Sequence, residues 1–214
     1  MPQKPFIPAL RFQSLTRLYD PVLRATLKED RFKRALVEQA GLRPGMRVLD
    51  LGCGTGTLTL LIKQAYPGVE LVGLDADPET LQIARAKAEQ AGLDIRFEQG
   101  MAQSPPFPPG SFDRVTSSLM LHHIADKRAV LAALRALLRP GGELHVADWG
   151  KAQNALMRVA FLGVQLLDGF ATTGANVRGE LPQLMRDVGF ASVAETRSEM
   201  TLFGTLSLYR AVAA

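Results

Sequence analysis

The sequence predicts a doubly wound α/β fold, on three observations. From Arg47 onward, short apolar runs alternate with longer stretches of helical periodicity, the pattern of repeated β-α units that build a mainly parallel sheet. A glycine-rich turn, Gly52-Cys53-Gly54-Thr55-Gly56, follows the first of these runs and leads straight into a helical stretch. The 214 residues, 47% apolar and 21% charged, have the balance of an ordinary globular chain and the length for one core.

Taken in order, strands are expected at 47–51, 70–75, 95–98, 114–118 and 143–148, with helices near 57–66, 78–91 and 127–138. The punctuation agrees. Asp77-Pro78 offers a side-chain acceptor and a pre-set φ to open a helix. Leu81, Ala84, Ala88 and Ala91 then line one face before Gly92 ends it. Pro67-Gly68 stops the preceding helix, and Arg139-Pro140-Gly141-Gly142 predicts a turn into the fifth strand. Before the sheet, Asp20-Pro21 opens a capped helix with Leu15, Leu18, Val22, Leu23 and Leu27 on an inward stripe. After the fifth strand, 154–167 reads as one apolar helix, 181–188 as another, and 192–200 with 205–212 as a closing pair of strands joined at Phe203-Gly204. The expected organisation is a helical cap over 1–45 and a domain over 46–214 with a cap insertion at about 149–180, one structural unit in all.

Charge is uneven. Against a net +4 for the chain, residues 1–47 hold ten Lys/Arg and four Asp/Glu, a net of +6, which leaves −2 for the remainder. A basic cap on a slightly acidic body reads first as a solvated helix face, with an acidic substrate or an anionic surface as the alternative. Cys53 is the one cysteine, so no intramolecular disulfide can form and a cytoplasmic address is expected. The first residues lack the continuous apolar stretch of a signal peptide. The longest greasy run, 159–167, is interrupted by Gln165 and is too short to span a bilayer.

In an open parallel sheet, ligands bind beyond the carboxyl ends of the strands, which is where the glycine turn falls. Glycines there permit positive φ and close approach, and the helix behind them offers unpaired N–H donors. A dinucleotide fingerprint would need glycine where Thr57 stands, and a phosphate-binding P-loop would need a Gly-Lys-Ser/Thr ending. Both are excluded.

The segment Asp50-Leu51-Gly52-Cys53-Gly54-Thr55-Gly56 resembles the D/E-x-G-x-G-x-G signature of the class I S-adenosylmethionine (SAM) dependent methyltransferases. The resemblance continues through Leu74-Asp75, Gly110-Ser111-Phe112-Asp113, Leu121-His122-His123 and Leu138-Arg139-Pro140-Gly141-Gly142, and covers about residues 15–212. Within that family the chain is most similar to the small-molecule enzymes related to quinone-biosynthesis C-methyltransferases, which also carry the Tyr19-Asp20 pair and the Leu-His-His. It implies a Rossmann-like, seven-stranded, mainly parallel sheet with an antiparallel last strand. It also implies SAM as cofactor, with Gly52, Gly54 and Gly56 along its methionine part, Asp50 near its ammonium and Asp75 accepting both ribose hydroxyls. Tyr19, Cys53, Ala76, Met101, Ala102 and Ser118 complete the implied cofactor set. Met101 is a departure, since the family often places an acidic residue there to accept from the adenine amino group.

His122 and His123 are the candidate proton acceptors, because imidazole is matched to proton transfer near neutral pH and the pair follows the fourth strand at the cofactor edge; a structural or substrate-orienting role is the alternative, since adjacent residues in a turn rarely both face the ligand. Asp148 has no His or carboxylate beside it in sequence, so no metal site is expected. The acceptor pocket is expected between the N-terminal cap and 149–176. There Trp149, Met157, Phe161, Leu166 and Phe170 supply apolar surface, and Asp168, Thr172, Thr173 and Asn176 supply sparse polar groups. That make-up suits a mostly apolar small-molecule methyl acceptor. A lipid headgroup amine at an anionic surface, with peripheral membrane contact, and a SAM-binding protein without catalysis are the alternatives. Nucleic acid is not expected, since basic patches interleaved with exposed aromatics are missing and the Pro-rich Ser104-Pro105-Pro106-Phe107 precedes the fourth strand instead of closing it.

Overall fold

In a computed structural model of the chain, residues 29–214 are described. The expected helix from Asp20-Pro21, its apolar stripe and Tyr19 lie outside the described residues. Within them the short apolar runs become strands β1 (Arg47–Leu51), β2 (Glu70–Asp75), β3 (Arg96–Gln99), β4 (Phe112–Ser118) and β5 (Leu138–Trp149), paired in parallel. The closing strands β6 (Phe190–Thr201) and β7 (Gly204–Ala213) form a hairpin whose β7 lies antiparallel to β5. The resulting order is β3-β2-β1-β4-β5-β7-β6. Strand order reverses between β1 and β4, and the loops leaving those two strands border the crevice where such sheets bind ligands.

Helices α1 (Glu29–Gln39), α2 (Thr57–Ala65), α3 (Pro78–Gln90) and α4 (Lys127–Leu137) flank the sheet. Both faces are greasy because parallel strands are covered on both sides. One core gathers Leu49, Leu51, Val115, Leu144 and Val146 from the strands with Val130, Leu131 and Leu134 of α4. The other gathers Phe32 and Leu36 of α1, Leu58 and Ile62 of α2, and Leu206 and Leu208 of β7. Each fully buried leucine contributes about 1.5–3 kcal/mol of transfer free energy. Capping follows the sequence logic: Asp77 accepts from the Glu79 amide at 2.8 Å and Asp126 from the Ala129 amide at 2.9 Å.

Between β5 and β6 run α5 (Ala155–Ala160), α6 (Leu162–Asp168), α7 (Phe170–Arg178) and α8 (Leu181–Asp187). The single helix expected over 154–167 is broken at Phe161, whose buried ring packs where a Cβ on Gly204 would stand, 2.8 Å from the ring. Helix α7 has no counterpart in the sequence reading, since Thr172, Thr173 and Gly174 are poor helix formers. Gly169 (φ 95°) starts it, and the Thr172 and Thr173 hydroxyls bond back to the Gly169 carbonyl at 3.0 and 2.7 Å. Strand β5 also begins earlier than expected and absorbs the Arg139–Gly142 turn. From Phe112↔Leu138 to Arg114↔Glu143, β5 advances five positions while β4 advances two, and Gly141 at φ 74° takes up the excess.

Candidate active site

The glycine turn leaves β1 with all three glycines in the left-handed region: Gly52 at φ 68°, Gly54 at 52° and Gly56 at 78°. Each has a different neighbour. A Cβ on Gly52 would stand 2.3 Å from Cγ of Met120, so this glycine lets the turn lie against the segment after β4. A Cβ on Gly56 would stand 3.0 Å from Ala84, and so permits α2 to pack on α3. Gly54 faces open space, with nothing within 4 Å. Cys53 between them turns its side chain into a small core with Ala84 and Phe97. Burial pushes its thiol far up, which makes it a filler and no nucleophile.

Two carboxylates support the turn. Asp75, at the end of β2, accepts from the Gly54 amide at 2.7 Å through one oxygen and from the Asp77 amide at 3.0 Å through the other. Asp50 is almost completely buried. Parallel register sets it level with Thr116, whose hydroxyl donates to it at 3.1 Å, and Thr59 of α2 donates at 2.6 Å. Burial raises its pKa to about 6, against the lowering by those two hydroxyls and by Lys33. Ala76, Met101 and Ala102 sit half-buried after β2 and β3, with Gln99 Nε2 donating to the Ala76 carbonyl at 3.2 Å. At the end of β4 the Ser118 hydroxyl is buried and has no partner among the described residues.

After β4 the chain makes an abrupt turn. Leu119 takes φ 52°, unusual for a non-glycine residue and costing about 1 kcal/mol or more. Its amide donates to the Ala147 carbonyl of β5 at 2.8 Å, which fixes the turn before the 3₁₀ segment Leu121–His123. His122 is buried, and its Nδ1 meets Asp148 Oδ1 at 2.8 Å. Asp148 is fully buried and also receives the amides of Trp149 (2.7 Å) and His122 (3.3 Å) and the Asn176 side chain (3.2 Å). Burial alone would raise its pKa, but His122, the Trp149 amide and Lys127 hold it below the ordinary carboxylate range. An ionised carboxylate only accepts, so Nδ1 of His122 carries a proton toward Asp148 and Nε2 is the ring nitrogen turned away from the pair. Ahead of Nε2, at 3.7 Å, lies Asp168 at the end of α6, raised in pKa by burial.

His123 stands beside His122 with ring centroids 4.0 Å apart and its Nδ1 3.9 Å from Asp168. Burial and the neighbouring His122 lower its pKa to about 3, so it is neutral at neutral pH. Lys127, lowered to about 8 by burial, donates to the carbonyls of Ile124 (2.7 Å) and Thr172, and so ties α7 to the histidine turn.

The structure thus brings both histidines to one place and adds Asp148 and Asp168. The expectation that Asp148 lacks histidine or carboxylate neighbours is corrected: it was drawn from adjacency in sequence, whereas the His122 contact spans 26 positions. The parallel register, which pairs Ser118 with Ala147, is what brings Asp148 to the turn that follows β4. Of the expected acceptor-pocket residues, Trp149, Met157, Phe161, Thr172, Thr173 and Asn176 are buried, and Trp149 packs edge-on against both His122 and Phe161. Leu166 and Phe170 are instead 75% and 55% exposed, on the outer face of α6 and α7.

Residues 48–142 match the family model of the methyltransferase domain. The demethylmenaquinone methyltransferase of Thermus thermophilus is 43% identical over 119 residues, 56% of this chain and 54% of that protein, so the match spans about half the relative's length. The ubiquinone/menaquinone biosynthesis C-methyltransferase UbiE of Shewanella halifaxensis is 32% identical over 186 residues, 77% of this chain and 74% of that protein. Among solved structures, a SAM dependent methyltransferase from Aquifex aeolicus superposes with a TM-score of 0.67 at 18% identity, covering 98% of this chain and all of that one.

Proposed function

Because this chain belongs to the class I SAM-dependent methyltransferases and resembles the quinone-biosynthesis C-methyltransferases among them, we propose that it methylates a ring carbon of an apolar, hydroxylated aromatic acceptor, with His122 taking the acceptor's proton. The observation that carries the catalytic part is the buried Asp148–His122 pair at the carboxyl edge of the sheet, beside the glycine turn. SAM supplies a methyl group on a sulfonium, already activated toward in-line displacement. The protein's share is then alignment, exclusion of water and the handling of one proton.

Two features fit these residues to SAM. Gly54 leaves the face of the turn open, and the buried Ser118 hydroxyl stands ready for a partner. In this reading Gly52, Gly54 and Gly56 flank the methionine part and Asp50 lies behind its ammonium group. Asp75 accepts from the ribose hydroxyls, and Ala76, Met101 and Ala102 border the adenine. Asp75 is prepared for that role, since two backbone amides already aim its carboxylate. The packing of Trp149 against His122 gives the acceptor side an apolar wall.

In this reading the domain over 46–214, with its insertion at 149–180, carries the chemistry, and the division from a cap over 1–45 stays as the sequence suggests it. Carbon methylation is favoured over the headgroup amine by the name of the UbiE relative, a C-methyltransferase of ubiquinone/menaquinone biosynthesis. No helix among the described residues is long and apolar enough to cross a membrane, and we place the enzyme in the cytoplasm. The test is turnover of a hydroquinone acceptor by His122→Ala at saturating SAM. Loss of about a hundredfold or more in kcat, with adenosylhomocysteine still bound, is expected; unchanged kcat would remove His122 from the chemistry.

A further inference from the structure

We propose that His122, His123 and Asp168 form a binding site for one divalent ion of the zinc class, with a coordination position open toward the acceptor. The three side chains offer ligand atoms that all lie within 4.8 Å of one another. One oxygen of Asp168, Oδ2, faces Nε2 of His122 at 3.7 Å, and the other, Oδ1, faces Nδ1 of His123 at 3.9 Å. Both separations are too long for hydrogen bonds. They are close to the spacing of atoms sharing one ion: with metal bonds of about 2.0–2.1 Å, two ligands at a tetrahedral angle stand about 3.4 Å apart. With every ligand atom within 4.8 Å of the others, closing on one ion requires the Asp168 carboxylate and both imidazoles to draw together. Two imidazoles and one carboxylate suit zinc, cobalt, nickel or ferrous iron, whereas magnesium and calcium prefer an all-oxygen set.

A second observation lies behind His122. Its other nitrogen is taken by the fully buried Asp148, itself held by the Trp149 amide and the Asn176 side chain. Metal-ligating histidines almost always carry such a partner, which fixes the tautomer and aims the free lone pair. The backbone supplies the rest. The 3₁₀ turn sets the two rings side by side, and Gly169, at φ 95°, ends α6 directly after Asp168 and turns the chain into α7.

Three protein ligands leave a fourth position free. The acceptor's hydroxyl oxygen would occupy it, an assignment that rests on the hydroxylated aromatic acceptor proposed above, whereas ion binding itself does not. A bound ion and a proton compete for the same Nε2 lone pair. In the loaded protein, then, His122 is not the base: the ion would assist ionisation of the hydroxyl and the proton would leave to solvent, and the base role proposed above belongs to the ion-free protein.

The experiment uses the full chain, stripped with a chelator and dialysed against Zn²⁺, with Co²⁺ followed by its visible absorption. Adenosylhomocysteine binding serves as the control for folding. One equivalent of Zn²⁺ is expected, with affinity reduced about tenfold or more in both Asp168→Asn and His123→Ala. Absence of stoichiometric binding, or equal affinity in both variants, would overturn the site. Turnover that is lost on chelation and restored by Zn²⁺ supports the open position facing the acceptor; turnover indifferent to chelation overturns that part. If the wild type binds no ion while His122→Ala still abolishes turnover, the metal inference fails and the proposed base stands. If Zn²⁺ binds but His122→Ala turns over normally, the base assignment fails instead.

Discussion

Replacing Asp148 by Asn changes one atom and exchanges a pure acceptor for a group that is half donor. Four donors converge on Asp148: Nδ1 of His122 at 2.8 Å, the amides of Trp149 and His122 at 2.7 and 3.3 Å, and the Asn176 side chain at 3.2 Å. An amide NH₂ in that place must face at least one of them. If it faces His122, the imidazole turns its Nδ1 lone pair toward the amide, carries its proton on Nε2 and can no longer accept there. General-base assistance is worth about 10²–10⁴ in rate, so kcat at saturating SAM should fall by that range while adenosylhomocysteine affinity holds within about twofold. The lost charge-assisted bonds should destabilise the fold by about 1–3 kcal/mol near neutrality. Asp148 is held below its reference value of 3.8. Its contribution is therefore present above that pH and lost as pH falls through the folded value, so the gap between wild type and variant should narrow in acid. Turnover at several pH values, calorimetry and denaturant unfolding make the test. A kcat within about fivefold of wild type, with unchanged pH dependence, would refute the argument that Asp148 sets the tautomer.

Three further expectations follow from the same geometry. Asp50 has its pKa raised to about 6 from 3.8, so ionising it costs folding stability as pH rises from 3.8 through 6. Asp50→Asn should therefore be more stable than wild type by about 1–3 kcal/mol at pH 7 in denaturant unfolding, with the difference vanishing near pH 4, and should bind SAM more weakly in calorimetry. Gly52→Ala must displace Met120, whose Cγ would lie 2.3 Å away, so it should lower SAM affinity and turnover together. Gly54→Ala meets no atom and should cost only about 1 kcal/mol of fold stability, its damage confined to SAM binding; equal stability loss in the two variants would contradict this. Met101→Asp should leave SAM affinity intact or raise it, since it restores an acceptor for the adenine amino group; a large loss in a titration would show that Met101 does not border the adenine.

Much of the framework was legible because the signals are local. Strands 47–51 and 70–75 appear at the expected bounds, and the Asp77-Pro78 cap and the closing hairpin are where turn chemistry puts them. Misreadings fall where distant packing overrides propensity. Phe161 breaks a helix because its ring has a place against Gly204, and α7 forms from Thr172, Thr173 and Gly174 because their hydroxyls and neighbours are satisfied there. The candidate site divides the same way. Glycines and an acidic strand end declare themselves by spacing, and vicinal histidines by chemistry. The partner that gives His122 a direction, and the carboxylate opposite it, do not.

The sequence by itself determined the alternation of strand and helix, the glycine turn and the residues able to hold a charged donor, since each depends on neighbours a few positions apart. Only the tertiary structure decided that Asp148 and Asp168 meet the histidine pair, that Asp50 is sealed beneath two hydroxyls, and that Leu166 and Phe170 face outward. These depend on parallel register and on helices returning across the sheet edge, contacts between residues 9 to 66 positions apart that no local pattern encodes.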